Sequence, residues 1–112
     1  MLRDDGYLLD ILNAAQIAVD YASELSWEEF IKDMRTQDAV LRRLEIVGEA
    51  ARRVSDLTRD KYPSLPWISM IGMRNFMIHE YDSVDLSIVW DTIKYDLPSL
   101  ISVLKGIVPP EK

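Results

Sequence analysis

The sequence predicts an all-α fold: an antiparallel bundle of four to five helices, the last one kinked near Pro98, in a single domain over residues 1–112. Three observations carry this. Apolar residues recur three or four apart almost everywhere, and the strict alternation of a half-buried strand is absent. Capping residues and prolines interrupt these stripes at short intervals, which calls for short loops and antiparallel neighbours. A length of 112 residues, 48% of them hydrophobic, suffices for one core and falls short of two ordinary domains.

The first helix is expected from roughly Asp4 to Leu25, with Leu8, Leu12, Ala15, Val19, Ala22 and Leu25 on one stripe. Ser26-Trp27-Glu28-Glu29 reads as a capping box opening a short second helix that runs to about Met34. The chain restarts at Thr36 or Gln37, and Val40, Leu44, Val47, Ala51, Val54 and Leu57 predict one long helix ending near Tyr62, where Pro63 and Pro66 enforce a break. Gly48 within it costs about 1 kcal/mol against alanine, so close packing against another helix is the expected compensation. Pro66 suits the first turn of a fourth helix extending to His79. The last helix starts after Asp82-Ser83 and carries Leu86, Trp90, Ile93, Leu97, Leu100 and Leu104 to about Lys105. Pro98 inside that stripe lacks an N–H and crowds the carbonyl of Lys94, which predicts a kink or local break.

Composition narrows the chemistry. The absence of cysteine removes disulfides, thiolate metal sites and cysteine nucleophiles together. No basic start leads into an apolar run, and no stretch of about 18 apolar residues is present, so a soluble, cytoplasmic protein with no membrane association is expected. The net charge of −6 opposes nonspecific coating of nucleic acid, yet the charge is uneven. Residues 1–33 carry two basic side chains against eight acids, whereas residues 34–62 carry seven against five. The third helix can therefore offer arginines to a polyanion; the alternative is a solvated face with pairs such as Arg52–Asp56.

The fourth helix is apolar nearly all round, as expected of a central or interface helix, yet it contains Arg74, Asn75 and His79. A buried arginine needs a carboxylate or an anionic ligand, and Glu49 is the candidate carboxylate, unless it serves Arg53. At about 100° per residue, Asn75, His79 and Asp82 share one stripe, Arg74 and Tyr81 a neighbouring one, and Arg74 and His79 lie about 140° apart. Either the arginine stem wraps round the helix or a second protomer completes the site across a two-fold axis. His79, the one histidine, moves protons near neutral pH, and a guanidinium grips phosphate. With no ligand cluster for a metal and no Gly-rich phosphate loop, no metal and no cofactor are expected. What remains is acid–base chemistry on a phosphodiester, and RNA carries its own nucleophile in the 2′-hydroxyl. The plainer readings are a capping or core role for His79, and core or interface filling for Met70, Met73 and Met77.

Arg74-Asn75-Phe76-Met77-Ile78-His79-Glu80-Tyr81 fits the pattern R-x-x-x-x-H-x-Y with a polar residue after the arginine. That motif, late in a short helical chain, resembles the HEPN superfamily and, within it, the HepT-like toxins. Arg43-Leu44-Glu45-Ile46-Val47-Gly48-Glu49-Ala50 is similar to the family's third-helix signature, and Trp90 through Leu97-Pro98-Ser99-Leu100 to its closing segment. The resemblance implies a homodimeric helical bundle and a metal-independent endoribonuclease that leaves a 2′,3′-cyclic phosphate. It implies Arg74 and His79 as the catalytic pair and Asn75 as their support. It further implies an RNA substrate, a MntA-type nucleotidyltransferase antitoxin as partner, and AMP addition at Tyr81. Two other functions compete with a toxin nuclease: a non-catalytic dimeric subunit presenting substrate to a nucleotidyltransferase, and a bundle in which Arg74 forms a purely structural ion pair.

Overall fold

The computed structural model describes residues 2–75 and 85–108, and every residue described in regular structure is helical. Among the described residues seven α-helical segments occur in order: α1 (Leu2–Ala22), α2 (Trp27–Phe30), α3 (Met34–Arg53), α4 (Asp56–Lys61), α5 (Trp67–Gly72), α6 (Leu86–Asp91) and α7 (Leu97–Lys105). A π-helical turn, Thr92–Asp96, joins the last two. The all-α bundle expected from the periodicity is therefore the architecture found. Among the described residues no helix is long and apolar enough to cross a membrane.

The core lies between α1, α3 and the α6–α7 rod. Leu8, Ile11, Ala15 and Ala18 of α1 meet Val40, Leu44, Val47 and Ala51 of α3 and Ile93, Leu97 and Leu104, all essentially without solvent contact. α1 and α3 run antiparallel, since Asp4 at the start of α1 meets Ser55 just past the end of α3. The Ser26 capping box forms as expected: Glu29 N–H donates to Ser26 Oγ at 3.1 Å and Ser26 N–H to Glu29 Oε1 at 2.9 Å. α2 then seats Phe30 and Trp27 against Trp90, with ring centroids 5.0 and 5.9 Å apart.

Four sequence expectations change in detail. α2 stops at Phe30, and α3 begins at Met34 because Asp33 caps it, accepting from Thr36 N–H at 3.0 Å and from the Thr36 hydroxyl at 2.7 Å. The long third helix is two helices. Val54 is extended, and Ser55 caps α4 while its hydroxyl donates to the buried Asp4 carboxylate at 2.5 Å. Thr58 Oγ1 donates to the same carboxylate at 2.6 Å, so a long-range polar corner outcompetes helix continuation and leaves Leu57 exposed. These two hydroxyls, Ser55 first, hold the Asp4 carboxyl below its ordinary value against the opposing effect of burial. The break also removes the expected Arg52–Asp56 pair, because the two residues now sit on different helices.

The third change is one of form at Pro98, where the expected kink or local break is a π turn, Thr92–Asp96, that interrupts the α-helix just before it. The turn before it widens to π spacing, and Leu97 N–H reaches back to Thr92 O while the backbone keeps helical dihedrals at Asp96 and Leu97. A π turn re-registers the carbonyls that a proline would otherwise leave unpaired and crowded. The same turn carries Lys94, whose Nζ donates to Ala22 O at 3.2 Å at the end of α1 and lies 4.5 Å from the Trp90 ring centroid. The fourth change is at α5. Pro66 is the N-cap, the helix ends at Gly72, and Met73 and Arg74 close a tighter turn with N–H bonds to Met70 O and Ile71 O. The expected continuation through His79, and the start of the last helix at residues 82–84, lie outside the described residues.

Candidate active site

Arg74 is placed by backbone contact before its side chain makes any. A Cβ built on Gly48 would stand 2.7 Å from Arg74 N and 3.0 Å from both Arg74 Cβ and Ile71 O. The lack of a side chain at Gly48 thus lets the turn after α5 sit directly on α3, the close packing expected of a glycine within a helix. Two further contacts anchor α5 from its other end. Arg59 Nη2 donates to Ala51 O at 3.1 Å and to Arg52 O at 2.9 Å, the carbonyls ending α3, and its guanidinium lies 5.9 Å from the Trp67 ring centroid. Trp67 Nε1–H in turn donates to Tyr62 O at 3.0 Å.

One residue beyond Gly48, Glu49 Oε2 lies 3.0 Å from Arg74 Nε, and its other oxygen is 3.5 Å from a terminal nitrogen of Arg52. Arg74 and Glu49 are about a third exposed, at 31% and 29%. Two guanidiniums therefore flank one carboxylate, and the trio keeps a net positive charge at a half-open surface. The 3.0 Å contact is made at Nε, and the two terminal nitrogens of an arginine held there have the fork geometry that matches two phosphate oxygens. Asn75 is exposed beside it. His79, Tyr81, Met77 and Asp82 lie outside the described residues, and with them the 140° separation expected for Arg74 and His79.

Arg52 is the contributor that reading the sequence missed, although its i,i+3 spacing from Glu49 was a usable signal. The arginines of α3 divide in a way that spacing does not announce: Arg42 pairs with Glu45 at 2.9 Å and Arg52 with Glu49, while Arg53 has no ion-pair partner among the described residues. α5 buries Met70, and Met73 just beyond it, but leaves Ile68 90% exposed, so within the single chain it does not take the central one of the two positions expected of it, central or interface.

Comparison with known proteins gives a consistent answer. The family described as "Ribonuclease HepT-like" matches residues 11–107. A Thermococcus cleftensis protein named "Probable ribonuclease HepT" is 40% identical over 84% of this chain and 86% of its own length. A Methanocaldococcus jannaschii protein named as a putative RNase is 37% identical over the same shares. Another so named, from Caldanaerobacter subterraneus subsp. tengcongensis, is 37% identical over 95% of both chains. No solved structure matches the chain.

Proposed function

We propose, from the premise that this chain belongs to the HepT-like ribonuclease family of the HEPN superfamily, that it is a toxin endoribonuclease cleaving RNA without a metal ion. The observation that supports this best is the Arg52–Glu49–Arg74 trio: a guanidinium about a third exposed and held at Nε, in a group of net positive charge, suits a phosphodiester. In this reading His79 takes the proton from the ribose 2′-hydroxyl, and the 2′-oxygen attacks phosphorus. Arg74 stabilises the charge on the phosphorane, with Asn75 in support. The 5′-oxygen leaves as it gains a proton, giving a 2′,3′-cyclic phosphate and a 5′-hydroxyl. One imidazole cannot be base and acid at the same instant, which favours a homodimer that brings two copies of His79 to one interface. The exposed apolar side chains Ile68, Tyr95 and Val103, beside the cleft between α5 and α7, supply a surface for such pairing.

A MntA-type nucleotidyltransferase antitoxin is the proposed partner. It would neutralise the toxin by transferring AMP to Tyr81, whose phenolic oxygen attacks the α-phosphorus of ATP and releases pyrophosphate. The added phosphate then competes for Arg74. The decisive test is expression. Wild type should arrest growth and cut RNA when purified, and His79→Ala and Arg74→Ala should do neither. If wild type cuts no RNA and both variants stay equally toxic, the nuclease reading fails. An unmodified Tyr81 in a neutralised complex, read by mass spectrometry, removes the modification step.

A further inference from the structure

Outside the trio, the built feature that no assigned role uses is a cleft of about 280 Å³ between α1 and α3. Arg42, Ile46, Glu49, Ala50 and Arg53 line it as one stripe of α3, and Tyr7 and Asp10 face them from α1. Its position is informative, because Glu49 belongs both to this cleft and to the ion pair with Arg74. The cleft and the candidate active site are therefore two sides of one carboxylate.

Its chemistry is also divided. Tyr7, Ile46 and Ala50 give an apolar floor with one aromatic ring. Glu49 is taken up by Arg74 and Arg52, and Arg42 by Glu45, which leaves Arg53 and Asp10 as the cleft's charged groups without an ion-pair partner among the described residues. A cation, an acceptor-only carboxylate and an aromatic floor in a space of about one nucleoside match a nucleotide: phosphate to arginine, base face to tyrosine, an exocyclic amine to the aspartate. We propose that this cleft is an RNA subsite holding the nucleotide next to the scissile phosphate. Arg53 contacts a flanking phosphate, and Asp10 selects a base that carries an amino group. The proposal rests on the ribonuclease reading for its substrate class.

Binding is measured apart from cleavage, so that failure of the subsite and failure of the nuclease reading separate. Full-length protein is titrated against fluorescein-labelled 2′-O-methyl dodecamers of A, C or U, which lack the nucleophile, and anisotropy is followed at several salt concentrations. Arg53→Gln is expected to weaken binding of the A dodecamer about tenfold and to lower the salt slope by roughly 0.7, the value for one lost single-strand phosphate contact. Arg35→Gln removes another exposed arginine, from the first turn of α3 and off the cleft, and should change neither. Both positions are exposed, so both variants fold. The A and C dodecamers should bind several-fold tighter than U, and Asp10→Asn should narrow that gap. Equal losses in Arg53→Gln and Arg35→Gln, or equal affinity for A and U, overturn the proposal. A protein that binds as expected yet leaves 2′-hydroxyl RNA uncut keeps the subsite and refutes the nuclease.

Discussion

Gly48→Ala offers the sharpest test of how the site is positioned. On helix propensity alone the change should stabilise α3 by about 1 kcal/mol. In the folded chain the new Cβ would lie 2.7 Å from Arg74 N and 3.0 Å from Ile71 O, against an ordinary contact of at least 3.4 Å. The turn after α5 must then retreat from α3 by about 0.7 Å, and because the obstructing atoms are backbone, no rotamer change relieves them. Overpacking of this kind costs about 1–3 kcal/mol, which outweighs the propensity gain and leaves a net loss of about 1 kcal/mol. For a domain of this size that is a fall in Tm of roughly 5 °C by circular dichroism. The same retreat stretches the 3.0 Å Glu49–Arg74 contact, so RNA cleavage should fall at least tenfold at temperatures where the variant is folded. Gly6→Ala is the matched control, since a Cβ there meets nothing within 4 Å and the same propensity gain should raise Tm. If Gly48→Ala raises Tm as Gly6→Ala does and cuts RNA at the wild-type rate, the close-approach argument is wrong.

Three other outcomes follow from the same geometry. Glu49→Gln should lower cleavage with less than about 1 kcal/mol of stability loss, because a pair a third exposed contributes little to folding while orienting the guanidinium; a large fall in Tm with kcat unchanged would reverse that assignment. Asp4→Ala should cost about 3 kcal/mol in a urea titration, since it strands the Ser55 and Thr58 hydroxyls at a buried corner. Because the Asp4 carboxyl is held below its ordinary 3.8, its contribution is complete above about pH 5 and is lost as pH falls below 3.8 through the folded value; the wild-type advantage over Asp4→Ala should shrink across that window. Arg59→Ala should cost about 2 kcal/mol by releasing the Ala51 and Arg52 carbonyls and the face of Trp67, and thermal melts of the variant measure it.

What could be read from the chain alone had local causes. The Ser26 capping box needs only residues 26–29, and the apolar stripe from Val40 through Val54 needs only helical spacing, so both are present where the sequence placed them. The glycine at position 48 signalled a close approach for a similar reason, since an uncompensated glycine inside a helix is costly. The R-x-x-x-x-H-x-Y motif and its accompanying segments were enough to place the chain in its family, which the comparisons then showed.

Tertiary contacts decided the rest. Val54 and Leu57 continue the helical stripe, yet the chain breaks between them because Asp4, some fifty residues away in sequence, binds Ser55 and Thr58 more favourably than a helix would. Pro98 was visible, but the way its strain is absorbed depends on the π turn that also delivers Lys94 to the end of α1. At the site, spacing named Arg74 and suggested Glu49, while the 3.0 Å contact between them, the addition of Arg52 and the shared wall with the α1–α3 cleft exist only once the turn after α5 rests on Gly48. Helix periodicity and caps are set by neighbours within about a turn and so are written in the chain itself. The direction of a guanidinium is set by which backbone it is pressed against, and that is a property of the packed molecule.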